Sequence, residues 1–137
     1  MTACPLCEAK SENVLWHGSY CRVILANESD YPGYCRVIWN AHVTEMTDLG
    51  IGERKYLMAV VFAVEQVLRE LLQPDKINLA SLGNQVPHLH WHVIPRFSND
   101  AHFPDPVWAA RRREASVVPL STSALTGRLA VLLATAG

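Results

Sequence analysis

The sequence predicts an α+β domain built on a largely antiparallel sheet, and three features carry that reading. Two strand-like runs, Tyr20 to Leu25 and Tyr34 to Trp39, flank a segment dense in turn formers, Asn27 to Gly33, and so are expected to pair as antiparallel neighbours. From Glu53 to Leu72 the apolar residues Leu57, Val60, Val61, Val64, Val67, Leu68, Leu71 and Leu72 recur mostly at three- and four-residue intervals, the mark of a long amphipathic helix. More strand-like segments follow, and strands, one long helix, then strands again is the order of an α+β domain.

The remaining elements follow from local chemistry. Tyr-Cys-Arg-Val-Ile occurs in both early strands, but one five-residue echo does not make a repeat architecture. Pro74, just past Leu72, stops the long helix. Ile77 to Leu82 reads as a strand, Gly83-Asn84 as a turn, and Leu89 to Ile94 as a strand that ends at Pro95. Beyond Phe97 the chain becomes loop-like through Asp100, Pro104, Asp105 and Pro106, and then carries Arg111, Arg112 and Arg113, a run expected to be a solvated face. From about Ser121 to Ala136, Leu125, Leu129, Leu132 and Leu133 recur at helical spacing, which fits either a short terminal helix or a frayed tail. The expected organisation is a single domain over residues 1–110 with a C-terminal extension over 111–137.

The chain has 137 residues, 50% of them hydrophobic, enough to bury a core without disulfide help. Twelve Lys and Arg against thirteen Asp and Glu leave a formal net charge of −1, so no global field draws the chain to nucleic acid or anionic lipid. No apolar stretch approaches the ~18 residues of a membrane span, and the first residues lack the pattern of a secretory signal, so a cytoplasmic protein is expected. In a reducing compartment its 4 Cys are core residues, metal ligands or reactive groups rather than disulfides. Cys21 and Cys35 lie within apolar strand patterns and read as small core residues.

Chemistry concentrates in His88-Leu89-His90-Trp91-His92-Val93-Ile94-Pro95-Arg96. Strand side chains alternate faces, so His88, His90 and His92 are expected on one face with Leu89, Trp91 and Val93 behind them in the core. Composition alone yields such a trio in roughly one chain in a hundred. Neighbouring imidazoles in this array could share a metal; alternatively, one acts as a nucleophile toward phosphorus while its neighbour donates hydrogen bonds to phosphate oxygens. A polar stripe without chemistry is the third reading. Cys4 and Cys7 have a spacing that lets both thiolates reach one tetrahedral ion, or they are a reduced pair that never binds metal.

The stretch Gly83 to Arg96 resembles the signature of the histidine-triad (HIT) nucleotide hydrolases and transferases, His-φ-His-φ-His-φ-φ with φ apolar. Upstream, Leu25-Ala26-Asn27, Pro32-Gly33-Tyr34 and the segment from Val37 through His42 to Leu49 are similar to that family's nucleotide-binding half. The resemblance covers about residues 4 to 108 and is strongest toward bacterial members akin to diadenosine tetraphosphate hydrolases. It implies a five-stranded antiparallel sheet with one long helix and short helices, dimerising into a ten-stranded sheet. It also implies cleavage at the α-phosphate of a dinucleoside polyphosphate or another AMP conjugate through a nucleotidyl-histidine intermediate. On this resemblance His90 is the nucleophile, His92 hydrogen-bonds the phosphate, and His88 completes the catalytic triad. Gln85 and Asn78 match polar positions near the phosphate, and Asn27 falls where the family contacts the ribose. Zinc-bearing members supply ligands that match Cys4, Cys7, His42 and His88 here, so a structural zinc is implied, with no cofactor for the chemistry itself. Arg96 repeats the family's Pro-Arg ending.

Three functions compete on the sequence: such a nucleotidyl enzyme, a nucleotide-binding module without turnover, and a zinc-dependent hydrolase that uses the triad as ligands. A homodimer is expected on physical grounds too. Met58, Ala59, Phe62 and Ala63 lie outside the helix's main stripe, and self-association about a two-fold axis is the commonest way to bury such a second face. Trp108 either stacks near a base or packs on the dimer partner, packing being the preferred reading, and His17 and His102 receive no role.

Overall fold

The computed structural model describes residues 3–136. Its elements in chain order are α1 (Pro5–Glu8), β1 (Asn13–His17), β2 (Cys21–Leu25), β3 (Cys35–Trp39), a 3-10 turn (Met46–Asp48), α2 (Ile51–Leu72), β4 (Lys76–Ala80), β5 (His90–Arg96) and α3 (Thr122–Leu132). The five strands form one antiparallel sheet in the order β1-β2-β3-β5-β4.

The period-2 alternation of each strand sorts the sheet into two faces. Cys21, Val23, Cys35, Val37, Ile77 and Val93 point to one face and form a single buried cluster with Leu57, Val60, Val61, Val64, Val67 and Leu68 of α2. Burial lifts the Cys21 and Cys35 thiols to about 12, so both are inert core residues, as expected. The opposite face carries Ile24, Arg36, His92 and Ala80 in one cross-strand row, since Ile24 pairs with Arg36, Arg36 with His92 and His92 with Ala80.

α2 begins two residues before the expected Glu53 because the Glu53 carboxylate accepts the Gly50 backbone N–H at 2.7 Å, capping an otherwise open first turn. It ends as expected, with Gln73 left-handed at φ 49 ahead of Pro74. Gly33 sits at φ 95, and a Cβ there would lie 2.8 Å from a Leu72 methyl; the turn into β3 needs glycine on both counts.

Three local expectations are corrected. β1 was not among the strand-like runs; a bulge between Val14 and Trp16 breaks the alternation that marks a strand. β4 stops at Ala80 rather than Leu82, and Ser81 turns its hydroxyl to donate to the His90 carbonyl at 2.7 Å. β5 runs through Pro95 to Arg96, because β3 pairs with it only as far as Val93; beyond that the proline needs no donor on that side.

The C-terminal segment, open between helix and frayed tail, is helix from Thr122 to Leu132, capped by the Ser121 hydroxyl, which accepts from Ala124 N–H. Its Leu125 and Leu129 are fully buried in the same core as α2, and Arg128 pairs with Glu70 at 3.1 Å. Among the described residues, no helix is long and apolar enough to cross a membrane.

Candidate active site

His90 and His92 lie two apart on β5 and share the sheet face opposite α2, with ring centroids 5.0 Å apart at 75°. His90 Nδ1 stands 2.6 Å from the His88 carbonyl oxygen. A carbonyl only accepts, so Nδ1 carries the proton and Nε2 holds the lone pair. His92 is buried between two aromatic groups: Tyr34 Oη lies 2.8 Å from its Nδ1, and the Trp108 ring meets it edge-on at 5.2 Å. Burial, then the neighbouring His90 and Arg36, push the His92 pKa down to about 4, so the ring is neutral at pH 7.

Leu89 and Val93 enter the core behind the histidines as expected, while Trp91 is half-buried with its indole N–H 3.4 Å from Met46 Sδ. His88 precedes the strand and is engaged elsewhere. Its Nε2 is 2.6 Å from the Trp39 carbonyl, which fixes the proton there and leaves Nδ1 as a free lone pair. That Nδ1 lies 3.3 Å from Cys4 Sγ, 3.4 Å from Cys7 Sγ and 3.3 Å from His42 Nδ1. Cys7 Sγ is 3.3 Å from His42 Nδ1, and all four donor atoms fall within 4.8 Å of one another.

The donor set fits a metal. Bond lengths of about 2.3 Å to sulfur and about 2.0 Å to nitrogen place the corners of a tetrahedral site roughly 3.3 to 3.8 Å apart, close to the spacings observed. The Trp39 carbonyl supplies the outer hydrogen bond that such a histidine ligand uses. α1, a single turn, brings Cys4 and Cys7 to the same side, and the buried Arg22 ties this segment to the sheet. Arg22 donates to the Leu6 carbonyl at 2.7 Å, to both Glu12 carboxylate oxygens at 2.6 and 2.8 Å, and to Asn40 Oδ1 at 3.1 Å.

The polar residues expected at the phosphate are spread more widely. Asn78 is half-buried on β4, beside Ile94 of β5, and its Oδ1 accepts from Arg96 Nη1 at 2.8 Å; its Nδ2 is the end left for a ligand. Arg96 is fully buried and grips Asp100 through two bonds of 2.8 and 3.1 Å, so it is a structural anchor rather than a solvated residue. Gln85 is exposed in the loop between β4 and β5, whose turn residue Gly83 has φ 75. Asn27 is exposed at the rim of a cleft of about 370 Å³ that Pro5, Leu6, Ile24, Leu25 and Arg36 also line. Arg36, at the edge of this cleft, pairs with His92 in the β3–β5 register. A shallower hollow of about 450 Å³ at the C-terminal end of α2, lined by Gln66, Arg69 and Gln73, belongs to the helix side of the sheet.

Tyr34 and Arg36 were not among the expected site residues, and Trp108, with packing on a partner preferred to stacking near a base, stands against His92. Arg36 had a signal, since the repeated Tyr-Cys-Arg-Val-Ile puts an arginine on the same face of two adjacent strands. Trp108 arrives on the loop after β5, which the arginine run secures. Arg111 pairs with Asp30 at 2.5 Å, Arg112 with Asp105 at 2.8 Å, and Arg113 donates to the Asp100 and Phe103 carbonyls at 2.6 and 2.9 Å.

Comparison with known proteins agrees with this fold. The family model of the HIT domain matches residues 8–99. An AP-4-A phosphorylase of Mycobacterium tuberculosis is 32% identical over 78 residues, which are 53% of this chain and 40% of that protein. A bis(5'-adenosyl)-triphosphatase of Saccharomyces cerevisiae is 25% identical over 93 residues, 64% of this chain and 45% of that one. The chain thus spans less than half the length of either curated relative. The crystal structure of a histidine triad protein from Marinobacter aquaeolei superposes with a TM-score of 0.74 at 28% identity, covering 94% of this chain and 93% of that one.

Proposed function

Because this chain belongs to the HIT domain family, whose model covers residues 8–99, we propose that it is a nucleotide hydrolase or nucleotidyl transferase acting at the α-phosphate of a dinucleoside polyphosphate or another AMP conjugate. The observation that carries this reading is the 2.6 Å contact of His90 Nδ1 with the His88 carbonyl, beside a neutral, buried His92. His90 Nε2 attacks phosphorus: a P–N bond forms, the P–O bond to the leaving group breaks, and the electron pair departs on that oxygen. The His88 carbonyl steadies the positive charge that the ring acquires. Water then attacks the nucleotidyl-histidine, a new P–O bond forms as P–N breaks, and the electron pair returns to Nε2 while the water proton passes to solvent.

In this reading His92 and the Nδ2 end of Asn78 donate to the phosphate oxygens, Gln85 approaches them from its loop, and Asn27 meets the ribose at the rim of the cleft. His88 acts on the chemistry through its carbonyl and serves the metal cluster with its ring. Cys4, Cys7, His42 and His88 would hold a structural zinc, which when bound adds to folding free energy; four protein donors make a closed set of the structural kind. A reducing cytoplasm suits the four free thiols.

The chain is also proposed to form a two-fold homodimer. α3 covers part of the helix surface that sequence alone left open, but Phe62 is still 54% exposed on α2. α3 also packs near β1, which leaves β4 as the edge available for joining two sheets.

Turnover of a panel of AMP conjugates, before and after exhaustive chelation, tests the function. At least one conjugate is cleaved, and folded, chelated protein still cleaves it. AMP binding without turnover of any conjugate would favour a binding module, and loss of activity on chelation with the fold intact would favour a zinc hydrolase.

A further inference from the structure

We propose that Tyr34 is a positioning residue that holds His92 in the tautomer with its proton on Nε2, so that His90 and His92 present opposite ends to the phosphate. The inference rests on the reading of His92 as the phosphate donor and adds what fixes its orientation. Tyr34 Oη is 2.8 Å from His92 Nδ1, and both side chains are buried, at 3% and 7% exposure. Arg36 lies over the face of the phenol ring, with Cζ 5.4 Å from its centroid, and its guanidinium also hydrogen-bonds the Tyr34 side chain. A guanidinium has donors only, so toward Arg36 the phenolic oxygen serves as acceptor. Its single proton is then given to His92 Nδ1. Burial also raises the Tyr34 pKa above its ordinary value, with Arg36 opposing, so the phenol keeps that proton at neutral pH.

The contrast with His90 is the point. His90 Nδ1 faces an oxygen that can only accept, and its Nε2 is a lone pair. His92 Nδ1 faces a hydroxyl whose other neighbour can only donate, and its Nε2 is an N–H. Two imidazoles 5.0 Å apart on one strand thereby offer a nucleophile and a donor, one for phosphorus and one for its oxygen. Ring contacts hold His92 in place, with Tyr34 at 5.8 Å and 78° and Trp108 at 5.2 Å and 73°. Near-equivalent tautomers need only one ordinary hydrogen bond to be biased about fivefold to tenfold.

The test is the His92 ring itself, read by long-range nitrogen–proton NMR correlations of the full-length protein at pH 7. Wild type shows the Nε2–H pattern for His92, and Tyr34→Phe shifts the ratio toward Nδ1–H by about fivefold or more. Should Tyr34→Phe not fold, Arg36→Met gives the same information, because freeing the phenolic oxygen lets the hydroxyl turn and raises the Nδ1–H population. On any AMP conjugate that wild type cleaves, Tyr34→Phe lowers kcat about tenfold and leaves KM within about twofold. An Nδ1–H pattern in wild type, a ratio indifferent to both substitutions, or an unchanged kcat overturns the proposal. The tautomer readout needs no turnover, so failure of the nucleophile assignment at His90 would register separately.

Discussion

The depressed pKa of His92 predicts an acid-labile contribution to stability that one substitution removes. In the unfolded chain an imidazole titrates near 6.5, whereas in the folded protein His92 stays neutral down to about 4. Below pH 6.5 the unfolded state therefore takes up a proton that the folded state refuses, so stability falls as pH drops through that window and levels off below about 4. At 1.36 kcal/mol per pH unit, the interval from 6.5 to about 4 corresponds to about 3 kcal/mol. His92→Gln keeps a polar side chain but cannot titrate. Denaturant unfolding of both proteins at pH 7 and pH 4 isolates the effect, because His88, the Cys4, Cys7 and His42 side chains and every carboxylate are common to both and cancel in the difference. Wild type is expected to lose about 3 kcal/mol more than His92→Gln over that range. Equal losses in the two proteins would refute the claim that burial holds His92 neutral.

Three other expectations follow from the fold. As-purified protein carries about one zinc per chain by elemental analysis, and Cys7→Ser removes it and lowers Tm by about 5 °C or more; a folded, active preparation free of metal would rule the site out. Leu129→Ala empties a fully buried position between α3 and α2 and costs about 2 to 5 kcal/mol in denaturant unfolding; a cost below about 0.5 kcal/mol would mean that α3 does not pack there. Light scattering at micromolar concentration gives twice the chain mass of 15.3 kDa; a monomeric mass with full activity would sink the dimer.

What could be read from the sequence, and what could not, divides along the range of the interactions. The long helix was legible because eight apolar residues repeat its period, and β2 and β3 because the segment between them is built of turn formers. β1 escaped because its bulge spoils the alternation, and Pro95 misled because a proline ends a strand only where a neighbour requires its missing N–H. Leu125 and Leu129 announced a helical spacing, yet spacing carries no word of what the helix packs against. The histidine trio was visible in itself, and Cys4, Cys7, His42 and His88 were joined only through a family resemblance, since 84 residues separate Cys4 from His88. Tyr34, Arg36 and Trp108 reach His92 through strand register and a long loop pinned by arginines, neither of which a local pattern encodes. The expectation of three imidazoles in one array held for His90 and His92, while the ring of His88 turns to Cys4, Cys7 and His42, because two carbonyls, of Trp39 and of His88 itself, decide which nitrogen each ring presents.

The account turns on His90 as the nucleophile, and the most direct measurement is a rapid-quench mass analysis of the protein during turnover of an AMP conjugate that it cleaves. A covalent adenylyl group on His90 is predicted within the first turnover, together with loss of kcat by several orders of magnitude in His90→Ala and AMP affinity kept within about tenfold. An adduct on another residue, or a His90→Ala enzyme with near wild-type kcat, would contradict it.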